Sequence, residues 1–330
     1  MKQKLTAAGV LLLLLFLLKY PAEALAASRE GLKLWLNTLL PTLLPFLILT
    51  GILLHTDGIS KIMKPFAPFF KIVFGLSPDG AYVFLLGLLC GYPMGAKLAA
   101  DLYGYGKLDK REAEYLLTFC NNPSPAFLTT YVGQICLEGR TGMGTITAIL
   151  VLADMICMVF FRFAIFCGKT ISVQEKAGNP PDTACSAKIP QSLNGQAPQG
   201  SKKETSSPPS LGAILDASIM NGFETMARLG GYILLFSILS ACISHFWCFP
   251  PTGKYLLLGI TELTTGLYQL AQSGFSYGMR FLCSMSMSAF GGLCIMAQTK
   301  SVLEGKLSLL PYASAKCMNA AVTAVLVLLL

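Results

Sequence analysis

Leu85-Leu86-Gly87-Leu88-Leu89-Cys90-Gly91-Tyr92-Pro93-Met94-Gly95-Ala96-Lys97 is apolar enough to lie in a bilayer, yet it is broken in a way that a plain spanning helix avoids. Pro93 removes a backbone donor, while Gly91 and Gly95 permit backbone angles that other residues resist. A second break follows at Phe119-Cys120-Asn121-Asn122-Pro123-Ser124-Pro125-Ala126-Phe127, where two prolines and two asparagines oppose continuous helix. Non-helical backbone at membrane depth survives only where protein or a watery cavity satisfies its polar groups. Half-helix ends coordinate solutes and ions in secondary transporters, and matching breaks in two halves are the sequence pointer to a binding site. The bland alternative is a set of proline kinks with no ligand.

The rest of the chain is built for the same solvent. Of 330 residues, 54% are hydrophobic and 13% are charged, about half the charge of a soluble domain, where roughly 25% is usual. The mean hydropathy is +0.60. Apolar runs of about 20 residues recur from end to end, each enough to cross a hydrocarbon core about 30 Å thick. The formal charge of +8 comes from residues standing singly between those runs, such as Lys61, Lys64, Lys71, Lys107, Lys110 and Arg111. That is the pattern of interfacial anchors and cytoplasmic loops. It lacks the basic stripe of a nucleic-acid binder.

Eleven cysteines show no paired C-x-x-C arrangement. Cys90, Cys120, Cys157, Cys167, Cys283 and Cys294 lie in apolar runs, where a thiol behaves as a small hydrophobe. No disulfide framework, metal site or cofactor is expected. Without G-x-S-x-G, a metal-ligand cluster or a phosphate-binding loop, the chain has no assembled reaction chemistry and is not read as an enzyme.

Four parts follow along the chain. Residues 1–27 form a first transmembrane helix or signal anchor, running from the Lys2/Lys4 flank through the apolar Leu5–Leu18; small residues up to Ala27 also fit a cleavable leader. Residues 28–169 form a first half and 211–330 a second. Between them, 170–210 is rich in Pro, Ser, Gly, Gln and Lys and reads as a disordered linker, placed on the cytoplasmic side by its lysines.

The halves look related. Glu30-Gly31 opens an amphipathic turn into Leu39–Leu54, and Asn221-Gly222 opens one into Leu229–Ile243; His55 and His245 close the two runs. Lys61–Leu76 then pairs with Tyr255–Ala271, and Ala81–Tyr105 pairs with Gly278–Leu303, which is interrupted at Gly291-Gly292. Gly106-Lys107-Leu108 and Gly305-Lys306-Leu307 follow, and then asparagine-bearing apolar segments with Asn121-Asn122 and Asn319. The order predicts a duplication of about nine spanning or re-entrant elements; whether the halves are inverted is open.

Three ionisable residues fall in apolar context: Lys97 just past the first break, Glu262 in Gly259–Gly266, and Asp154 between Leu150 and Phe161. Such groups face a cavity or a partner. Lys97 is a candidate counter-charge for an anionic solute, or snorkels to headgroups. Glu262 and Asp154 are candidates for coupling to a proton or sodium, or for structural pairing with a cation.

The GYPMGAK stretch at 91–97 resembles the YlbJ-like sporulation integral membrane proteins, which belong with the nucleoside-recognition (Gate) proteins. Gly106-Lys107-Leu108, Glu114 through Pro123, Leu34-Trp35 with Leu40–Phe46, and Glu262–Gly266 carry the same resemblance. It spans Glu30 to the C-terminus, without the linker. It implies an all-α polytopic membrane protein of two related halves with re-entrant hairpins and interrupted helices, similar to concentrative nucleoside transporters.

By that resemblance Gly91, Tyr92, Pro93, Met94 and Gly95 form the first tip, and Asn121, Asn122 and Ser124 lie in the first unwound helix. Gly291 and Gly292 mark the second tip, and all these residues with Lys97 bind substrate. The acidic Thr-Glu-Ala-Pro type tip that grips ribose in those transporters is absent. The family is associated with endospore formation and with moving dipicolinic acid from the mother cell toward the spore, which implies the mother-cell-derived outer forespore membrane as location. The partners implied are a small anionic or nucleoside-like solute and the lipid bilayer, with self-association into a homo-oligomer left open. The alternatives are a nucleoside-type transporter and a non-transporting sporulation scaffold or receptor.

Overall fold

The computed structural model describes residues 2–55, 58–164, 166 and 210–330, and these contain helices and no strand. In chain order the helices begin with α1 (Lys2–Lys19), α2 (Pro21–Leu34) and α3 (Leu40–His55), the last two joined by a π-helical turn at Trp35–Leu39. Next come α4 (Gly58–Met63), α5 (Ala67–Val73), α6 (Pro78–Cys90), α7 (Met94–Gly104), α8 (Lys110–Leu116) and α9 (Pro125–Phe127). A π-helix over Leu128–Cys136 leads to α10 (Met143–Ala164). The second part has α11 (Leu211–His245), α12 (Pro251–Thr261), α13 (Leu263–Ala271), α14 (Tyr277–Phe290), α15 (Gly292–Leu303) and α16 (Leu310–Leu328). Nearly all of the expected linker lies outside the described residues.

Five of these stretches are long and apolar enough to cross a membrane: Pro21–Leu54, Met143–Ala164, Leu211–His245, Tyr277–Leu303 and Leu310–Leu328. A first helix extending through Ala27 is corrected. Pro21 forces a break, because the residue before a proline is pushed out of the α region, and Tyr20 sits at φ −126°, ψ 57°. Residues 21–27 are therefore the start of the Pro21–Leu54 element.

Pro21–Leu54 and α11 are 34 and 35 residues long and run antiparallel. Gly31 abuts Ser237 while Gly51 abuts Ser218, and Trp35 donates from Nε1 to the Met226 carbonyl at 2.8 Å. Small residues at such a crossing let backbones approach where lipid supplies no hydrophobic drive. α10 and α16 also pair head to tail: Asp154 meets Asn319, and Thr145 shares a groove with Leu329. The two helix pairs that a repeat would equate thus lie antiparallel, the arrangement expected of inverted halves.

Two helical hairpins sit inside this frame. After an 87° bend between Lys61–Val73 and Pro78–Cys90, the chain reverses between α6 and α7. Gly87 and Gly95 face each other across the reversal, with the carbonyl of Cys120 lodged against both. The second reversal lies between α12 and α13, around Glu262, with Gly266 pressed on the backbone of Gly259. Each hairpin leans on the interrupted segment of the other half: α7 packs on α15, and α13 packs on the π-helix after α9.

This corrects two expectations. Phe290-Gly291-Gly292 is not a second tip, because α14 and α15 continue as one 27-residue span. Gly291 takes φ +87° but its N–H still reaches the Met287 carbonyl at 2.8 Å, so the helix is nicked without turning back. The downstream repeat register shifts accordingly: Pro78–Gly104 corresponds to Pro251–Ala271, and 110–136 corresponds to Tyr277–Leu303. The twin Gly-Lys-Leu turns misled because both do one local job. Gly106 and Gly305 each end a helix at φ +70° in the left-handed conformation that glycine supplies at no steric cost.

Candidate functional site

The breaks converge. A cavity of about 420 Å³ is lined by Gly91 and Tyr92 from the first reversal and by Glu262 and Thr264 from the second. The first interrupted segment adds Ser124, Phe127 and Tyr131, α15 adds Cys294 and Gln298, and the first long element adds Thr38 and Thr42. Its lining holds one carboxylate and no Lys, Arg or His. Such a lining, apolar and aromatic with a few convergent hydroxyls, is the usual make-up of a small-solute site.

Local chemistry holds each wall. Glu262 is the N-cap of α13: its carboxylate accepts from Thr264 N at 3.1 Å, Thr265 N at 2.7 Å and Thr264 Oγ1 at 2.6 Å. Those bonds satisfy orphan donors of the helix start and place negative charge at the positive end of its dipole. Ser124 caps α9 in the same way, accepting from Phe127 N at 3.2 Å. Phe127 and Tyr131, one helical turn apart, stack with centroids 4.8 Å apart and planes at 17°. Tyr92 donates to the Ser288 carbonyl at 3.4 Å, and Gly91, at φ +83°, leaves no room for a side chain beside Ser124.

Behind Tyr92 lies a buried polar cluster. Lys316 of α16 donates from Nζ to Asn122 Oδ1 at 2.6 Å, and its ammonium stands 5.9 Å from the Tyr92 ring centroid and 5.8 Å from that of Tyr312. Asn121 donates to Thr299 Oγ1 at 3.1 Å. Asn319 donates to Asp154 and accepts from Thr323.

Residues 36–137 match the family described as nucleoside recognition, Gate. Along the whole chain there is similarity to the sporulation integral membrane protein YlbJ of Bacillus subtilis (strain 168). The two are 23% identical over 348 residues, taking in 99% of this chain and 82% of that one. No solved structure matches.

The matched stretch, residues 36–137, brings the first reversal, the first interrupted stretch and the stacked aromatics to the cavity; the second reversal and α15 come from outside it. Of the residues singled out in sequence, Gly91, Tyr92, Ser124 and Glu262 line the cavity. Pro93, Met94 and Gly95 form the turn behind the lining, with Met94 2% exposed. Asn121, Asn122 and Asp154 belong to the polar cluster. Gly291 adjoins the Tyr92 ring, and Gly292 backs onto the carbonyls of Gly259 and Ile260.

Lys97 is corrected. It is outside the cavity lining, and its ammonium is bound to Asp101 at 2.7 Å and to Asn221 Oδ1 at 3.3 Å. The reason is local: an acid four residues on lies on the same helix face. Sequence reasoning missed Lys316, although the signal was there. It is the lone charge in the Leu310–Leu328 span, the same mark that drew attention to Asp154 and Glu262. Phe127 and Tyr131 carried a weaker signal, since an aromatic pair at helical spacing is ordinary core.

Proposed function

We propose that this chain transports a small solute across a membrane, with the solute held between the two reversals, and that the solute is dipicolinic acid moved from mother cell toward forespore. The observation that carries the transporter reading is the meeting, at one cavity, of chain breaks from both halves of an inverted pair. Inverted halves with a central site between re-entrant segments are the plan by which secondary transporters alternate access. The sporulation setting rests on the name of the similar Bacillus subtilis protein and the dipicolinate substrate on the resemblance of GYPMGAK. A planar ring suits the Phe127–Tyr131 wall.

The test is uptake of labelled dipicolinate into proteoliposomes against empty vesicles. Protein-dependent uptake that falls with Tyr92→Ala supports the reading. Uptake of nucleosides in place of dipicolinate favours a second reading, for which the Gate description and the Glu262 carboxylate beside an aromatic wall speak. Inserted protein that moves neither solute points to a scaffold of the sporulation membrane.

A further inference from the structure

Asp154 and Lys316 are 5% and 2% exposed, inside two spans that pair head to tail. A carboxylate in such a place needs a proton, a bound cation or a cationic side chain. We propose that Lys316 is the resident cation of this site: it balances Asp154 and ties the first reversal to the first interrupted segment, so that building the cavity takes no external ion. The role in the cavity rests on the transporter reading; the charge pairing does not.

Three observations carry this. First, Lys316, Asn319 and Thr323 recur at helical spacing on one face of α16, and Asn319 reaches Asp154 directly while Lys316 reaches Asn122. Asn122 is itself fixed, donating from Nδ2 to the Phe119 carbonyl at 2.8 Å, so the ammonium meets a carbonyl oxygen already aimed at it. Second, the same ammonium lies over the ring of Tyr92, whose residue lines the cavity. A desolvated cation over an aromatic face is attracted by its quadrupole. One side chain thereby grips both pieces of non-helical chain that shape the first wall.

Third, Asp154 is held by Asn319, one turn along α16 from Lys316. The acid and the ammonium thus meet the same face of α16, and their opposite charges cancel without a guest ion. Removing either member leaves the other buried and uncompensated, which is far more costly than removing both.

The experiment is thermal unfolding of the full chain in nanodiscs, in sodium-free buffer, for the natural protein, Lys316→Met, Asp154→Asn and the double variant. Each single change is expected to lower the melting temperature, and the double variant to recover most of the loss. Additive losses overturn the pairing. Where Lys316→Met yields no folded protein, yield replaces melting as the readout: recovery in the double variant supports the pair, and equal failure overturns it. Sodium titrated into the natural protein should leave its melting temperature unchanged, and stabilisation by sodium overturns the resident-cation role. Because these readouts are of unfolding, they stand even if no solute is moved. Where uptake is measurable, equal rates in sodium and choline media are expected, and sodium-dependent uptake counts against the proposal.

Discussion

Gly95 of α7 meets the carbonyl of Cys120 so closely that a methyl group on Gly95 would overlap it. The hairpin and the interrupted segment are thus keyed to each other through backbone, with no side chain able to yield. Gly95→Ala should lower stability by about 1–3 kcal/mol, the usual cost of overpacking, and should abolish uptake by displacing the wall at Ser124. Gly142→Ala, at a site with nothing nearby, is the control. Equal melting temperatures for the two variants would mean that the contact is slack.

The stacked pair Phe127 and Tyr131 should act on recognition and leave insertion alone. Replacing either with Ala removes an aromatic face worth about 0.5–1.5 kcal/mol beyond its buried area. The half-saturating solute concentration should rise about tenfold, equivalent to ~1.4 kcal/mol. A concentration dependence that does not move would show that the solute sits elsewhere.

Lys97 and Asp101 form a shielded pair outside the cavity, with side chains 7% and 16% exposed. Lys97→Met alone should destabilise by about 3–5 kcal/mol, because it strands the acid. Lys97→Met with Asp101→Asn should restore most of that loss and keep the affinity for solute. Weakened affinity in a double variant of natural stability would return Lys97 to the site.

In the turn between the π-helix and α10, the hydrogen bond from Arg280 to Glu138 at 2.8 Å, helped by Arg140, holds the Glu138 carboxyl below its ordinary range. A lowered carboxyl contributes stability above its unfolded pKa and loses it as pH falls through the folded value. Melting measured from neutral pH downward should therefore show a shallower acid decline in Glu138→Gln than in the natural protein. The exposure of Glu138 keeps the difference small, and a steeper decline in the variant would contradict the assignment.

Much of this architecture is legible in the sequence because its signals are local. Gly91 with Pro93, and Pro123 with Pro125, break a helix wherever they occur, and composition alone demands a bilayer. Glu262 stands out as an acid among apolar residues. What escaped are the facts that depend on partners far away. Gly291 and Gly91 look alike in sequence and both take positive φ, yet only the chain around Gly91 folds back, with Gly87 and Gly95 on either side to allow contact. A comparable pair of glycines flanks Glu262, at Gly259 and Gly266, and would have marked the true second reversal. The burial of Lys316 against Asn122, 194 residues away, has no local trace beyond its solitude.

The head-to-tail crossing of Pro21–Leu54 with α11 carries a consequence for energetics. On the transporter reading, exchanging the postures of the two halves would turn such a molecule over and open it to the opposite face of the membrane. Direction must then be written in whatever the halves do not share. α7 carries Lys97 and Asp101, whereas α13 carries no charge at all. That unmatched pair is a weight on one arm of a balance, and neutralising both residues should bring the two populations toward parity in a distance measurement across the membrane.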